Sequence, residues 1–228
     1  MLPLLRPTAM LRLLPPQRGA VANARDGARV LDRAARERHE LGRSQARALG
    51  TVSWSSLGTG PGRHALHVGR DDADVVSRLA GFVAEGLADG DVCVVAVTPS
   101  HRAGVRRRLD LAGLSPAVDG GLLVDVDAAG QLACLLRDGH PAEDLFERHV
   151  ARRLRARVAS GQRLRVAGET VGLLAQDGQV EGAVALERMW GGLQDELDFP
   201  LLCATPALAE DAESRVFAEH THVVTTVG

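Results

Sequence analysis

Glu169 stands directly behind a short apolar run that ends in glycine, in the stretch "RVAGETVGLLAQDG" (residues 165–178). A carboxylate placed there has three roles open to it. It can act as a base at the edge of a sheet, hold a ligand, or supply a favourable charge to the first turn of the following helix. The last is worth about 0.3–1 kcal/mol, because the first backbone N–H groups of a helix favour an anion. Other polar groups end similar apolar runs: Ser100 and His101 after "DVCVVAVTP", Asp125 and Asp127 in "GLLVDVD", and Thr205 in "FPLLCAT". His101 could serve as a general base, although an imidazolium in a first helical turn is opposed by the helix dipole.

The histidines suggest metal chemistry only weakly. His64 and His67 lie three apart in "HALH", and an extended strand would send them to opposite faces. His220 and His222 in "HTH" share a face if extended, a spacing that metals can use, and Cys203 could join them through tertiary structure. The simpler reading is a solvated or capping pair, so neither a metal nor a cofactor is expected. No GxSxG elbow occurs, and nothing near Cys203 supports a thiol nucleophile. Phosphate chemistry of the GxxxxGK[ST] kind is excluded, since the chain has no lysine; "GRDDADVV" after the first apolar run would repel a triphosphate.

These groups need a scaffold, and from residue 64 the pattern supplies one. Strands are expected at 64–68, 91–97, 121–127, 162–168 and 199–205, with "HVVTTVG" (222–228) as an edge strand. Between the first two, Val75, Val76, Leu79, Phe82, Val83 and Leu87 recur at helical spacing behind a cap at Asp71 or Asp72. Further helices are expected from a cap at Ser100, from a cap at Asp127 through "AAGQLACLLRDG", and over "HPAEDLFERHVARRLRARVASG". Two more follow in "ETVGLLAQDG" and "VEGAVALERMWGGLQDEL", and a last one in "LAEDAESRVFAEH". Strands alternating with helices predict an α/β fold of three layers, a mostly parallel sheet flanked by helices. Ligands in such sheets sit at the carboxyl ends of the strands. The candidate ligand-binding residues are therefore His67, Ser100, His101, Asp125, Asp127, Glu169 and Thr205, with none assigned to catalysis.

Composition sets the outer bounds. The 228 residues have a net charge of −2. All 27 basic residues are arginine, and Ile and Tyr are also missing, a pattern of GC-rich coding rather than of phosphate recognition. Residues 1–50 carry 10 Arg against 4 acidic residues, and the remainder 17 against 25. The body is thus acidic and a poor general ligand for nucleic acid. Residues 1–50 read as a basic leader, disordered or loosely helical, residues 51–63 as a Gly/Ser-rich linker, and residues 64–228 as the folded domain. No apolar run reaches the roughly 18 residues of a membrane span. Cys93, Cys134 and Cys203 form no CxxC pair and read as reduced thiols of a cytoplasmic protein.

The segments "HALHVGRDDADVVSRLAGFVAEG", "DGGLLVDVDAAGQLACLLRDGHPAEDLFERHV", "RVAGETVGLLAQDGQVEGAVALERMWGGL" and "FPLLCATP…EHTHVV" follow one another in an order that resembles the MEDS family, the methanogen/methylotroph sensory domain of the dichloromethane-responsive repressor. The resemblance spans about residues 64–224. It implies a RecA/KaiC-like fold without a phosphate loop, and detection of a small molecule of the hydrocarbon-derivative class. By position it carries over His64 or His67, His101, Asp127, Gly168, Glu169, Glu187, Trp190, Cys203, Pro206 and His220. Two positions depart: the aromatic expected after the first strand's histidine is absent, and Thr205 stands where the family has Tyr.

The leading expectation is a non-catalytic sensory or regulatory domain that binds a small molecule and controls a protein partner of kinase or anti-sigma type. Direct contact with nucleic acid or membrane is not expected. The alternatives are a nucleotide-binding or hydrolytic enzyme of degenerate RecA-like fold, and a protein-interaction scaffold.

Overall fold

The structure is a computed structural model that describes residues 64–206, 208 and 215–224, the last three by their backbone alone. The expected leader and linker (1–63) and residues 209–214 of the last expected helix (208–220) lie outside the described residues; of the rest of that helix, 215–217 are helical. Six strands form one sheet: β1 (His64–Gly69), β2 (Val92–Val97), β3 (Leu123–Asp127), β6 (Leu164–Gly168), β7 (Leu201–Pro206) and β8 (His222–Val224). Their order is β3-β2-β6-β7-β1-β8, with all neighbouring pairs parallel. The helices are α1 (Asp72–Asp89), α2 (Pro99–Leu111), α3 (Ala128–Leu135), α4 (143–159, with a π turn at Glu147–Ala151), α5 (Thr170–Gln176) and α6 (Val180–Leu197). The expected three-layer α/β fold is therefore present.

Period-two alternation along the strands divides the interior into two cores. One face carries Ala65, Cys93, Val95, Val97, Ala167 and Leu202 against α1 and α2. The other carries Leu66, Val92, Leu164, Val166, Leu201 and Cys203 against α3 to α6. All six apolar positions read as the inner stripe of α1 are buried. That helix starts as its sequence dictates, with the Asp71 side chain accepting from Asp74 N at 2.8 Å. It stops at Gly90, whose φ of 77° suits a residue without Cβ.

Two local expectations are corrected. Ser100 does not cap α2: Thr98 holds the cap position and Pro99 opens the helix, where its missing N–H costs nothing. The helix begun at Asp127 ends at Leu135 rather than continuing to Gly139. A hairpin of β4 (Leu136–Arg137) and β5 (His140–Pro141) replaces its last turn. Asp138 and Gly139 both take positive φ, 50° and 82°, the backbone of a two-residue hairpin turn.

One buried charge was not anticipated. Arg165, in the middle of β6, is 5 % exposed. Its guanidinium lies 3.3 Å from Asp91, 3.4 Å from Asp89 and 3.5 Å from Glu85, donates to Phe82 O at 3.3 Å, and stacks 5.1 Å from the Phe82 ring centroid. Burial lifts the Asp91 carboxyl above its usual range, although Arg165 and Arg163 draw it down. An acid whose folded pKa is raised loses stability as pH climbs past the unfolded value of about 3.9.

Arg165→Met keeps the packing volume and removes the cation. The expected loss is about 3 kcal/mol at pH 7, the lower end for a broken buried pair, because Arg163 still lies 3.1 Å from Asp91. The loss shrinks towards pH 4, and urea unfolding at the two pH values checks both points. A second check concerns the contact between α5 and β7. A Cβ on Gly172 would lie 2.6 Å from Thr205 Oγ1 and 2.7 Å from Thr205 Cβ. Gly172→Ala is expected to cost about 1–3 kcal/mol by overpacking, read as a lower urea midpoint at unchanged m.

Candidate functional site

The chain leaves β2 towards β3 on one side, and leaves β6 towards β7 on the other. This reversal opens a crevice between the carboxyl ends of β2 and β6. Glu169 sits in it, 3 % exposed. Its backbone N–H donates to Ala96 O at 2.9 Å, one step beyond the ladder. Its side chain makes no cap to α5. Oε2 instead accepts from Thr98 N at 2.9 Å, and Oε1 contacts His101 Nδ1. On the far side of the ring, His101 Nε2 lies 3.4 Å from the exposed Asp72 carboxylate. The carboxylate thus ties the start of α2 to the end of β6. Among the described residues no hydroxyl or thiol hydrogen-bonds to His101, whose recorded partners are the Glu169 and Asp72 carboxylates.

The other candidates are dispersed. His67 is buried on the α1 face of β1, with Nε2 3.7 Å from Asp74. Ser100 is exposed, 3.4 Å from Thr98 Oγ1, and shares with His101 a cleft of about 540 Å³ between α1 and α2. Asp125 pairs with Arg106, whose Nε donates at 2.7 Å. Thr205 is buried and accepts from Gln176 Nε2 at 3.2 Å. Asp127 caps α3, accepting from Ala129 N at 3.2 Å.

Of these seven, Asp127 alone borders the cavity of about 710 Å³ on the opposite face of the sheet. Val94, Val124 and Val126 from β2 and β3 form the cavity floor, with Leu154 of α4 and Trp190 of α6 closing the sides. Asp127, Gln131, His149, Arg153, Arg157 and Ser160 add a polar edge, and the exposed thiol of Cys134 borders it. Trp190 stands edge-on to Phe146 with centroids 5.1 Å apart, so it belongs both to the core and to the cavity wall. The alternation in "LLVDVD" contained the signal for the floor: Val124 and Val126 point one way and Asp125 the other.

A second buried assembly unites four positions that the family resemblance carried over but that were not placed among the candidate ligand-binding residues. His64, Glu187, Cys203 and His220 place one ligand atom each within 4.8 Å of one another. His64 and His67 do project to opposite faces, so only His64 takes part. His64 Nε2 is 3.1 Å from Glu187 Oε2 and 3.4 Å from Cys203 Sγ. The thiol lies 3.3 Å from Glu187 Oε2, and His220 Nε2 3.1 Å from Oε1. The two imidazole rings are 4.1 Å apart. Burial alone would raise the Glu187 carboxyl, but His220 and His64 outweigh it and hold it down to about 2. Burial, then the Glu187 carboxylate, push the Cys203 thiol well above its usual range.

Comparison with known families matches residues 63–222 to the model described as MEDS: MEthanogen/methylotroph, DcmR Sensory domain. No curated protein and no solved structure matches. Among the described residues no helix is long and apolar enough to cross a membrane. The matched span contains both the strand-end crevice and the cavity, and the chain belongs to the MEDS family of sensory domains.

Proposed function

We propose that the chain is a non-catalytic sensor, located in the cytoplasm, that takes a small and largely apolar molecule into the cavity above β2 and β3. The observation that carries this reading is the cavity itself. Its volume of about 710 Å³ lies within the usual range for small-molecule sites. Its floor is aliphatic, and polar and charged groups stand at its edge where they could orient the ligand's heteroatoms. A hydrocarbon derivative fits that lining, and membership of a sensory family agrees with it. The polar groups at the β2/β6 crevice are already engaged with one another, which favours binding over catalysis.

Signalling would follow by population shift. A ligand that binds one arrangement of α3 and α4 better than another changes the surface those helices present. The output is a regulatory protein of kinase or anti-sigma type rather than nucleic acid, in keeping with the acidic body.

Cys134 offers a direct readout. It is exposed and borders the cavity, whereas Cys93 and Cys203 are buried. Burial foremost pushes the Cys93 thiol up to about 12, with Asp91 and Asp89 adding to it against Arg165. In the native protein iodoacetamide is expected to label Cys134 alone, as read by peptide mass spectrometry. Short-chain halocarbons and alcohols are expected to slow that labelling. A ligand at a hundred times its Kd stabilises the fold by about 2.7 kcal/mol, visible as a raised Tm. Val126→Trp, which fills the floor, abolishes both effects. ATP with Mg²⁺ leaves Tm unchanged. A rise with nucleotide and none with any small apolar compound would reverse the reading in favour of an enzyme.

A further inference from the structure

We propose that His64, Glu187, Cys203 and His220 hold one divalent transition-metal ion of the zinc class, as a closed structural site. The set draws on four separated parts of the chain: β1, α6, β7 and the turn before β8. None of the four borders the cavity, so the inference is independent of the ligand reading.

The donor atoms are gathered closely enough for one metal ion to reach all four. Zinc bonds of about 2.0–2.3 Å imply ligand-to-ligand edges of roughly 3.3–3.8 Å. His64 Nε2, Cys203 Sγ and Glu187 Oε2 form one face with edges of 3.1, 3.3 and 3.4 Å, close to that size; His220 Nε2 approaches the other carboxylate oxygen at 3.1 Å, and one ligand atom of each residue lies within 4.8 Å of the rest. Two imidazoles, a thiolate and a carboxylate are the donor types zinc selects. One thiolate and one carboxylate match the double positive charge, which leaves a buried site without net charge.

The orientation of His220 supplies the independent observation. Its Nδ1 donates to Val216 O at 2.8 Å. In the neutral ring this leaves Nε2 as a bare lone pair. That lone pair faces the Glu187 carboxylate at 3.1 Å, acceptor against acceptor. Both His220 Nε2 and Glu187 Oε1 are buried, and neither makes an aligned hydrogen bond. Two buried acceptors directed at one point require a positive charge between them. A proton on Nε2 would serve that pair alone, whereas a metal ion within reach of Cys203 Sγ and His64 Nε2 satisfies all four groups at once.

Such an ion would fasten the C-terminal segment to the sheet. Thr221 already clips that segment to β1, its N–H donating to His64 O at 3.0 Å and its Oγ1 accepting from His64 N at 3.1 Å. With four protein ligands no position remains open for substrate, so the site is structural rather than catalytic.

The test uses the full chain, expressed with zinc in the medium and desalted. Elemental mass spectrometry is expected to find about one zinc per chain. Exchange for Co²⁺ is expected to give the intense visible bands of a tetrahedral centre and a near-ultraviolet thiolate-to-cobalt charge-transfer band. Removing the metal with a strong chelator lowers Tm, and adding zinc back restores it. Cys203→Ser loses the charge-transfer band, while Cys134→Ser keeps it. Should Cys203→Ser fail to fold, the wild-type metal content and cobalt spectrum still decide. A wild-type chain that retains no metal, shows no Tm response to chelator or zinc, or gives a cobalt spectrum without thiolate overturns the proposal, as does a charge-transfer band that survives in Cys203→Ser.

Discussion

A parallel strand inside a protein must be covered on both faces, and the whole arrangement rests on that constraint. Its backbone bonds are satisfied only by neighbours in the sheet, so side chains leave alternately up and down into two separate cores. In β1 this sends Leu66 into one core and Ala65 into the other. The same alternation separates His64 from His67, three residues apart, and gives each a different environment. It also turns Val124 and Val126 towards the cavity and Asp125 towards Arg106. The cavity exists because α3, α4 and α6 cover the edge of the sheet without filling the space above β2 and β3.

Charges placed inside such a scaffold survive only with partners, because an isolated buried ion costs several kcal/mol. Three positions follow that rule in different ways. Arg165 is met by three carboxylates and an aromatic face. Glu169 is met by a backbone N–H and an imidazole, and so joins two parts of the sheet's carboxyl edge. Glu187 is met by two imidazoles and a thiol within the second core. In each case the partners come from other elements, most of them distant in sequence. Each charge therefore acts as a specific tie between segments that apolar packing alone would leave free to slide.

Much of the architecture was legible in local pattern. Continuous β-branched runs such as "VCVVAV" marked buried parallel strands, and the 3.6-residue stripe of α1 marked the large apolar residues of its buried face, though not the buried Arg78 or the small residues between them. The Asp138–Gly139 turn was legible too, but the apolar run before it suggested a continuing helix, and the turn chemistry prevailed. Of the residues read as candidate ligands, Asp127 stands at the cavity and Ser100 and His101 at a cleft, while Asp125 and Thr205 are engaged by Arg106 and Gln176. Carboxyl-end position predicts nearness to the crevice, not which neighbour a polar group will choose.

By itself the sequence determined the alternation of strands and helices, the two-sided burial of the strands, the absence of a lysine-based phosphate loop and the family. These follow from periodicities of two and 3.6 and from residue types, which act over a few neighbours along the chain. Only tertiary structure decided that Glu169 would tie α2 to β6, that Val124 and Val126 would floor a cavity, and that His64, Glu187, Cys203 and His220 would meet. The reason is that strand order brings β1 beside β7 and lays α6 across them. Contacts between residues on different elements leave no trace in local spacing.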